Sequence, residues 1–209
     1  MSDTHFADLR LSYNLRAQLT FIRELDALKN VARRTLLLDR SRTENDAEHS
    51  WEMATMTLAL AAYIPVGGDI LRILKMLLIH DLVEIDAGDA YAYDAAANVG
   101  QREREEVASR RIFGLLPDDQ CEELRSLWLE FEARQTPDAR FARAMDRLQP
   151  LLHSYLTEGK TWQDNRVTAG SVRHQMALIG DASPALGDLA EQLIADALGR
   201  GFLLADGVE

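Results

Sequence analysis

Apolar residues recur along this chain at three- and four-residue intervals, the spacing that lines one side of an α-helix. Leu15, Leu19, Ile22, Leu25 and Leu28 form a first stripe, which runs into a basic stretch containing Arg33, Arg34, Arg40 and Arg42 that reads as a loop. Asn45 or Asp46 stands where a cap is needed for a second helix, on which His49, Met53, Met56 and Leu60 share related faces before Pro65 and Gly67-Gly68 end it. Ile70, Ile73, Leu74, Leu77 and Leu78 predict a third helix over about 69–84, stopped by the turn at Gly88-Asp89.

Further helices are predicted from Gln101 through Arg111 toward Leu116, and over 119–132 after Pro117. Beyond Thr136-Pro137, Phe141, Met145, Leu148, Leu152 and Tyr155 repeat at helical spacing and carry Asp146 onto a buried helix. Pro150, four residues on, cannot donate to the Asp146 carbonyl and should bend that helix. Two more helices, at 171–181 and 184–199, close the chain. No segment alternates as hairpin-linked strands do, and no repeat or Pro-rich linker interrupts the pattern. The expectation is an all-α bundle forming a single domain over 1–209.

Composition narrows the function. With 209 residues, 47% hydrophobic and 27% charged, the chain can bury one sizeable core. A formal charge of −11 argues against wrapping polymeric nucleic acid, which needs many Lys and Arg contacts, but leaves room for a small anionic substrate in one basic pocket. Cys121 is the single cysteine, so neither an intrachain disulfide nor a cysteine-rich zinc site is available, which fits a reducing compartment. Met1 to His5 lack the character of a secretory signal, and no apolar run approaches the roughly 20 residues that span a bilayer. A cytoplasmic protein without membrane association is expected.

The candidate chemistry sits with the few histidines: His5, His49, His80, His153 and His174. His80-Asp81 closes the apolar run Leu77-Leu78-Ile79, which delivers both side chains to a partly buried place where a cation would compensate the cost of burial. With His49 at the start of one helix and Asp146 within another, a bundle can converge two imidazoles and two carboxylates on one divalent ion. Residues 82–145 contain no histidine, which favours a mononuclear centre over a two-metal one. Glu84, one turn after Asp81, can lie near the metal face and position a water. Taken singly, each of these residues also has an ordinary structural reading as a buried hydrogen-bonding group.

The blocks Arg42-Thr43-Glu44-Asn45-Asp46-Ala47-Glu48-His49-Ser50 and His80-Asp81-Leu82-Val83-Glu84, followed by Gly88-Asp89 and the Asp146 helix, resemble the HD-domain 5′-deoxynucleotidase family over roughly residues 28–156. C-terminal helices over 161–209 would pack on that domain. The resemblance implies an HD-domain helical bundle that hydrolyses deoxyribonucleoside 5′-monophosphates with one divalent metal per chain (Co, Mn, Fe, Zn or Mg), commonly as a homodimer. Carried over by position, His49, His80, Asp81 and Asp146 match the metal ligands, Glu84 the catalytic acidic residue, Arg34 a substrate-phosphate contact and Asp89 an acidic position of the substrate pocket. Thr35 stands where relatives selective for deoxyribose carry Trp, and together with the Trp162 to Val167 region it marks a distinct subgroup. Other readings of the same residues are a hydrolase of nucleoside triphosphates or another phosphorylated metabolite, a metal-binding regulatory module without turnover, and a purely structural helical protein.

Overall fold

A computed structural model of the chain describes residues 6, 9–94 and 98–207; Met1 to His5, read above for a targeting signal, lie outside the described residues. Helix α1 (Tyr13–Glu24) continues into a 3₁₀ turn over Leu25–Asn30. Its stripe is only partly used: Phe21 and Leu28 are buried, whereas Leu15 and Ile22 remain exposed.

The basic stretch expected as a loop is instead an antiparallel hairpin, β1 (Ala32–Leu36) with β2 (Thr43–Asn45), pairing Ala32 with Asn45 and Leu36 with Thr43 around an irregularity. Side chains alternate across a strand, and here Thr35 and Glu44 are buried while Arg34 is exposed. The inward positions are polar, so hydrophobic periodicity could not reveal the strands. Asn45 closes the hairpin and caps α2 (Asp46–Ala59) in a reciprocal box: its side chain accepts from Glu48 N at 3.0 Å, and the Glu48 carboxylate accepts from Asn45 N at 3.1 Å.

The third predicted helix is interrupted. Helix α3 (Ile70–Ile79) gives way to a 3₁₀ turn over His80–Val83 and then to α4 (Glu84–Ala87), ended by Gly88 at φ 75°. At the break, His80 Nδ1 donates to the Leu77 carbonyl at 2.9 Å. That carbonyl is the acceptor a continuing α-helix would offer to Asp81 N–H. The tighter turn brings His80, Asp81 and Glu84 all to buried positions.

Helices α5 (Gln101–Phe113) and α6 (Asp118–Ala133) follow, then the long α7 (Pro137–Leu156), which continues through Pro150. Helix α7 is the axis of the molecule and packs on α2, α3, α6 and, after the short α8 (Lys160–Asp164), on α9 (Ala169–Ala182). Phe141, Met145 and Leu148 are wholly buried there. Helix α10 (Pro184–Gly199) pairs with α9 so closely that a Cβ on Gly187 would lie 2.5 Å from Gly180 Cα.

Candidate metal centre and substrate pocket

The first turn of α2, the 3₁₀ turn after α3 and the middle of α7 meet at one buried point, bringing together His49, His80, Asp81 and Asp146. Ligand atoms of His49, His80 and Asp81 lie within 4.8 Å of one another. Asp146 Oδ1 is 3.2 Å from His49 Nε2 and 3.7 Å from His80 Nε2.

The tautomers of both histidines follow from their outer partners. Because His80 Nδ1 donates to the Leu77 carbonyl, a neutral His80 turns the lone pair of Nε2 toward Asp81 Oδ1, 3.0 Å away, and Asp146. This nitrogen is buried and lacks the alignment of a hydrogen bond. His49 Nδ1 lies 3.0 Å from Gln149 Oε1, and the Gln149 amide nitrogen donates to Glu44 at 2.8 Å and Glu52 at 2.7 Å. Two carboxylates can only accept, so the amide cannot turn round: its oxygen faces His49, which must carry its proton on Nδ1. A neutral His49 therefore also turns the lone pair of Nε2 toward Asp146 Oδ1.

Two nitrogen lone pairs facing carboxylates repel unless a cation lies between them. In the bare protein a proton fills part of that role: burial alone would pull His80 down, but Asp81 and Asp146 outweigh it and push the imidazole up to about 10. Burial works against charged Asp81 and Asp146 too, yet His80 holds Asp81 at about 2, and Arg143 with Arg147 holds Asp146 well below the ordinary range. The donors are deprotonated or readily become so when a divalent ion replaces the proton, and the mixed imidazole and carboxylate set suits such an ion.

A second group of acids adjoins the first. Ligand atoms of Asp46, Asp81 and Glu84 lie within 4.8 Å of one another. Burial and then the charge of Asp81 push Asp46 up to about 7 and Glu84 well above its usual value. Glu84 Oε2 is buried without a partner.

Arg33 spans these carboxylates, contacting Glu44 and Asp46 at 3.2 Å, Asp81 at 3.1 Å and Asp89 at 3.9 Å. Arg34, the arginine singled out from the sequence, points the other way. It donates to Asn165 Oδ1 at 2.9 Å, stands 3.7 Å from Asp94, and its guanidinium lies 5.1 Å from the Tyr91 ring centroid. Two cavities open beside the cluster. One, of about 110 Å³, is lined by His80, Asp81, Glu84, Asp146 and Arg143. The other, of about 70 Å³, is walled by Arg34, Thr35, Tyr91, Tyr93, Trp162 and Met176. Arg33, Asp89 and Arg147 line both.

The sequence pattern thus brought four ligand candidates, Glu84 and Asp89 to one place, but it passed over Arg33, Asp46, Arg143, Arg147 and Gln149. A signal existed for some of them: Asp46 precedes His49 by one helical turn, and Arg143 and Arg147 bracket Asp146 on α7.

Residues 25–186 match the HD domain family, and the chain belongs to it. Its relatives include the human protein named 5′-deoxynucleotidase HDDC2, 28% identical over 169 residues that cover 78% of this chain and 81% of that one. The Schizosaccharomyces pombe 5′-deoxynucleotidase hdd1 is 27% identical over 124 residues, covering 56% of this chain and 60% of that one. Among solved structures, a protein described as a predicted metal-dependent phosphohydrolase from Magnetospirillum magnetotacticum MS-1 superposes with a TM-score of 0.88 at 52% identity, covering 91% of this chain and 95% of that one. PH0347 from Pyrococcus horikoshii OT3, with a TM-score of 0.60 at 21% identity over 85% and 98% of the two chains, shares the fold.

Proposed function

We propose that this HD-domain phosphohydrolase is a 5′-nucleotidase that releases inorganic phosphate from deoxyribonucleoside and ribonucleoside 5′-monophosphates. In this reading His49, His80, Asp81 and Asp146 hold one divalent cation per chain (Co, Mn, Fe, Zn or Mg). The observation that carries it is a pair of neighbouring cavities: a polar one at the His and Asp cluster shares Arg33, Asp89 and Arg147 with one walled by Tyr91, Tyr93 and Trp162. A phosphomonoester has the same two parts, a dianion and an apolar or aromatic remainder. The relatives named 5′-deoxynucleotidase support the substrate class. A homodimer and a cytoplasmic location go with the proposal; among the described residues no helix is long and apolar enough to cross a membrane.

A bound cation supplies Lewis acidity, making water a better nucleophile and offsetting charge on the phosphoryl oxygens. The residues of the chain do the rest. Glu84, held beside Asp46 with one oxygen free and its proton retained by burial and the neighbouring acids, orients the attacking water and gives its proton to the departing 5′-oxygen as the P–O bond breaks, the proton lost by the water replacing it. Arg34 and Asp89 contact the substrate at the mouth of the aromatic cavity, and Thr35 lies in its wall.

The test is a substrate panel with purified, metal-loaded protein. Inorganic phosphate is expected from 5′-monophosphates, and Glu84→Gln should keep the metal while losing roughly 10²- to 10⁴-fold in turnover. With Thr35 in place of a bulky Trp, ribonucleotides should be excluded incompletely at equal concentration. Pyrophosphate or triphosphate release from nucleoside triphosphates, with no monophosphate hydrolysis across several metals, would overturn the nucleotidase reading.

A further inference from the structure

Arg143 and Arg147 stand four residues apart on α7, one on each side of Asp146, so their side chains leave the same face of the helix. Their surroundings differ. Arg143 Nη1 is 3.2 Å from Asp146 Oδ2 and 3.9 Å from Glu132, and its guanidinium lies over the Phe131 ring at 5.2 Å. Arg147 has much less. Its nearest carboxylate oxygen among the described residues is Asp146 Oδ2, 4.0 Å from Nε, and this Nε, like that of Arg143, is buried without an acceptor, so Arg147 lacks the close carboxylate that Arg143 has. A guanidinium does not shed its charge by deprotonating, and a buried charge without a close counter-ion is costly. Asp146 does not settle the account, because it is shared with Arg143 and faces both imidazoles.

Position adds a second argument. Arg147 lines both cavities, the one at the His and Asp cluster and the one with aromatic walls. Arg34 is half exposed and already engaged by Asn165, Asp94 and Tyr91. The cluster cavity, about 110 Å³, has room for several waters or one tetrahedral oxyanion.

We infer that Arg147, backed by Arg143, is the seat of the substrate's terminal phosphate, and that Arg34 contacts the remainder of the substrate at the rim. The inference rests on the nucleotidase reading for the identity of the ligand, a phosphomonoester dianion, but the seat itself would take any tetrahedral oxyanion of that charge. Guanidinium and phosphate match as a planar fork to two oxygens.

The experiment uses the full-length, metal-loaded protein and inorganic phosphate as probe, with binding measured by calorimetry and by the phosphate-induced rise in melting temperature. Arg147→Met should weaken phosphate binding about 10- to 100-fold, the loss expected for a charged hydrogen-bonding partner. Arg147→Lys should recover part of it, and Arg34→Gln should stay within about threefold of the parent. Without phosphate, Arg147→Met should melt no lower than the parent, since it removes an ill-paired buried charge; this separates lost binding from lost folding. The seat is refuted if Arg147→Met binds phosphate like the parent, if Arg34→Gln loses more than Arg147→Met, or if the parent does not bind phosphate. Monophosphate hydrolysis by the parent with unchanged phosphate affinity in Arg147→Met sinks the seat alone. Loss of affinity in Arg147→Met, with no monophosphate hydrolysis by the parent, sinks the nucleotidase reading alone.

Discussion

Two clusters of histidine and carboxylate lie on either side of the Gln149 side chain, and their composition hardly distinguishes them: His49, His80 and Asp81 in one, Glu44, Glu52 and His153 in the other. Their hydrogen bonding does. In the second cluster Gln149 donates to both glutamates, Arg33 Nε donates to Glu44 at 3.2 Å, and His153 reaches the Leu36 carbonyl at 3.0 Å with one nitrogen and Glu52 at 2.9 Å with the other. Both His153 nitrogens face acceptors that have no second ring to share them, and these partners raise its pKa against burial, so every strong acceptor in the group is offered a donor. A cation placed there would meet N–H groups. In the first cluster the inner nitrogens of His49 and His80 turn lone pairs toward acids whenever the rings are neutral, and in the bare protein a proton on His80 relieves part of that repulsion. What marks a metal site is unsatisfied lone pairs converging, rather than the residue types.

The largest effect that would break this contrast concerns metal retention. Wild-type protein should carry about one divalent ion per chain by native mass spectrometry. His80→Ala or Asp81→Ala should abolish tight binding, whereas His153→Ala should leave the stoichiometry unchanged; the opposite pattern would exchange the roles assigned to the two clusters.

Gln149 offers a finer test, because it belongs to the satisfied cluster yet sets the tautomer of a ligand in the other. Gln149→Leu should weaken metal affinity by roughly 10- to 100-fold in competition with a chelator, as loss of an outer hydrogen-bond partner typically does. An unchanged affinity would mean that His49 needs no such lock.

The smallest effect is on stability and depends on pH. The bond to Glu52 and nearby carboxylate charge raise His153 despite the opposing pull of burial, and the bond to His153 lowers Glu52 despite burial. A raised histidine stabilises fully below its unfolded pKa of about 6.5 and loses that contribution as pH climbs through the folded value. A lowered glutamate contributes above about 4.3 and loses it as pH falls through the folded value. The pair is therefore strongest near pH 5 to 6. Urea unfolding of His153→Gln should show a deficit on the order of 1 kcal/mol at pH 6 that shrinks by pH 9, discounted because Glu52 is partly exposed. A deficit equal at both values would count against the ion pair.

These contrasts also explain what the sequence could and could not disclose. Helices with a solid apolar face, such as α3 and α7, are legible because Ile73, Leu77, Met145 and Leu148 are buried at helical spacing. The hairpin is not, since its inward residues include Arg33, Thr35 and Glu44, polar groups that bury themselves by pairing rather than by apolarity. That Arg33 faces the acids while Arg34 turns to Asn165 and Tyr91 follows from strand alternation, which a stretch read as a loop does not have. The break after Ile79 was hidden for a different reason: it follows from one side chain, His80, taking the carbonyl of Leu77. Arg147 and Gln149 escaped notice because their meaning lies in what they lack or whom they bridge, and neither property exists before the helices are packed.

The far wall of the aromatic cavity has a consequence for how such a protein diverges. Every proposed metal ligand lies at or before Asp146, while Thr161, Trp162 and Met176 come from the later helices α8 and α9. Mutations that reshape those helices can alter which leaving group fits without moving a ligand. Within one lineage, substrate preference can then drift quickly while the reacting centre stays under strong purifying selection, so paralogues of this chain should differ most in residues around 161–176 and least around 49, 80, 81 and 146.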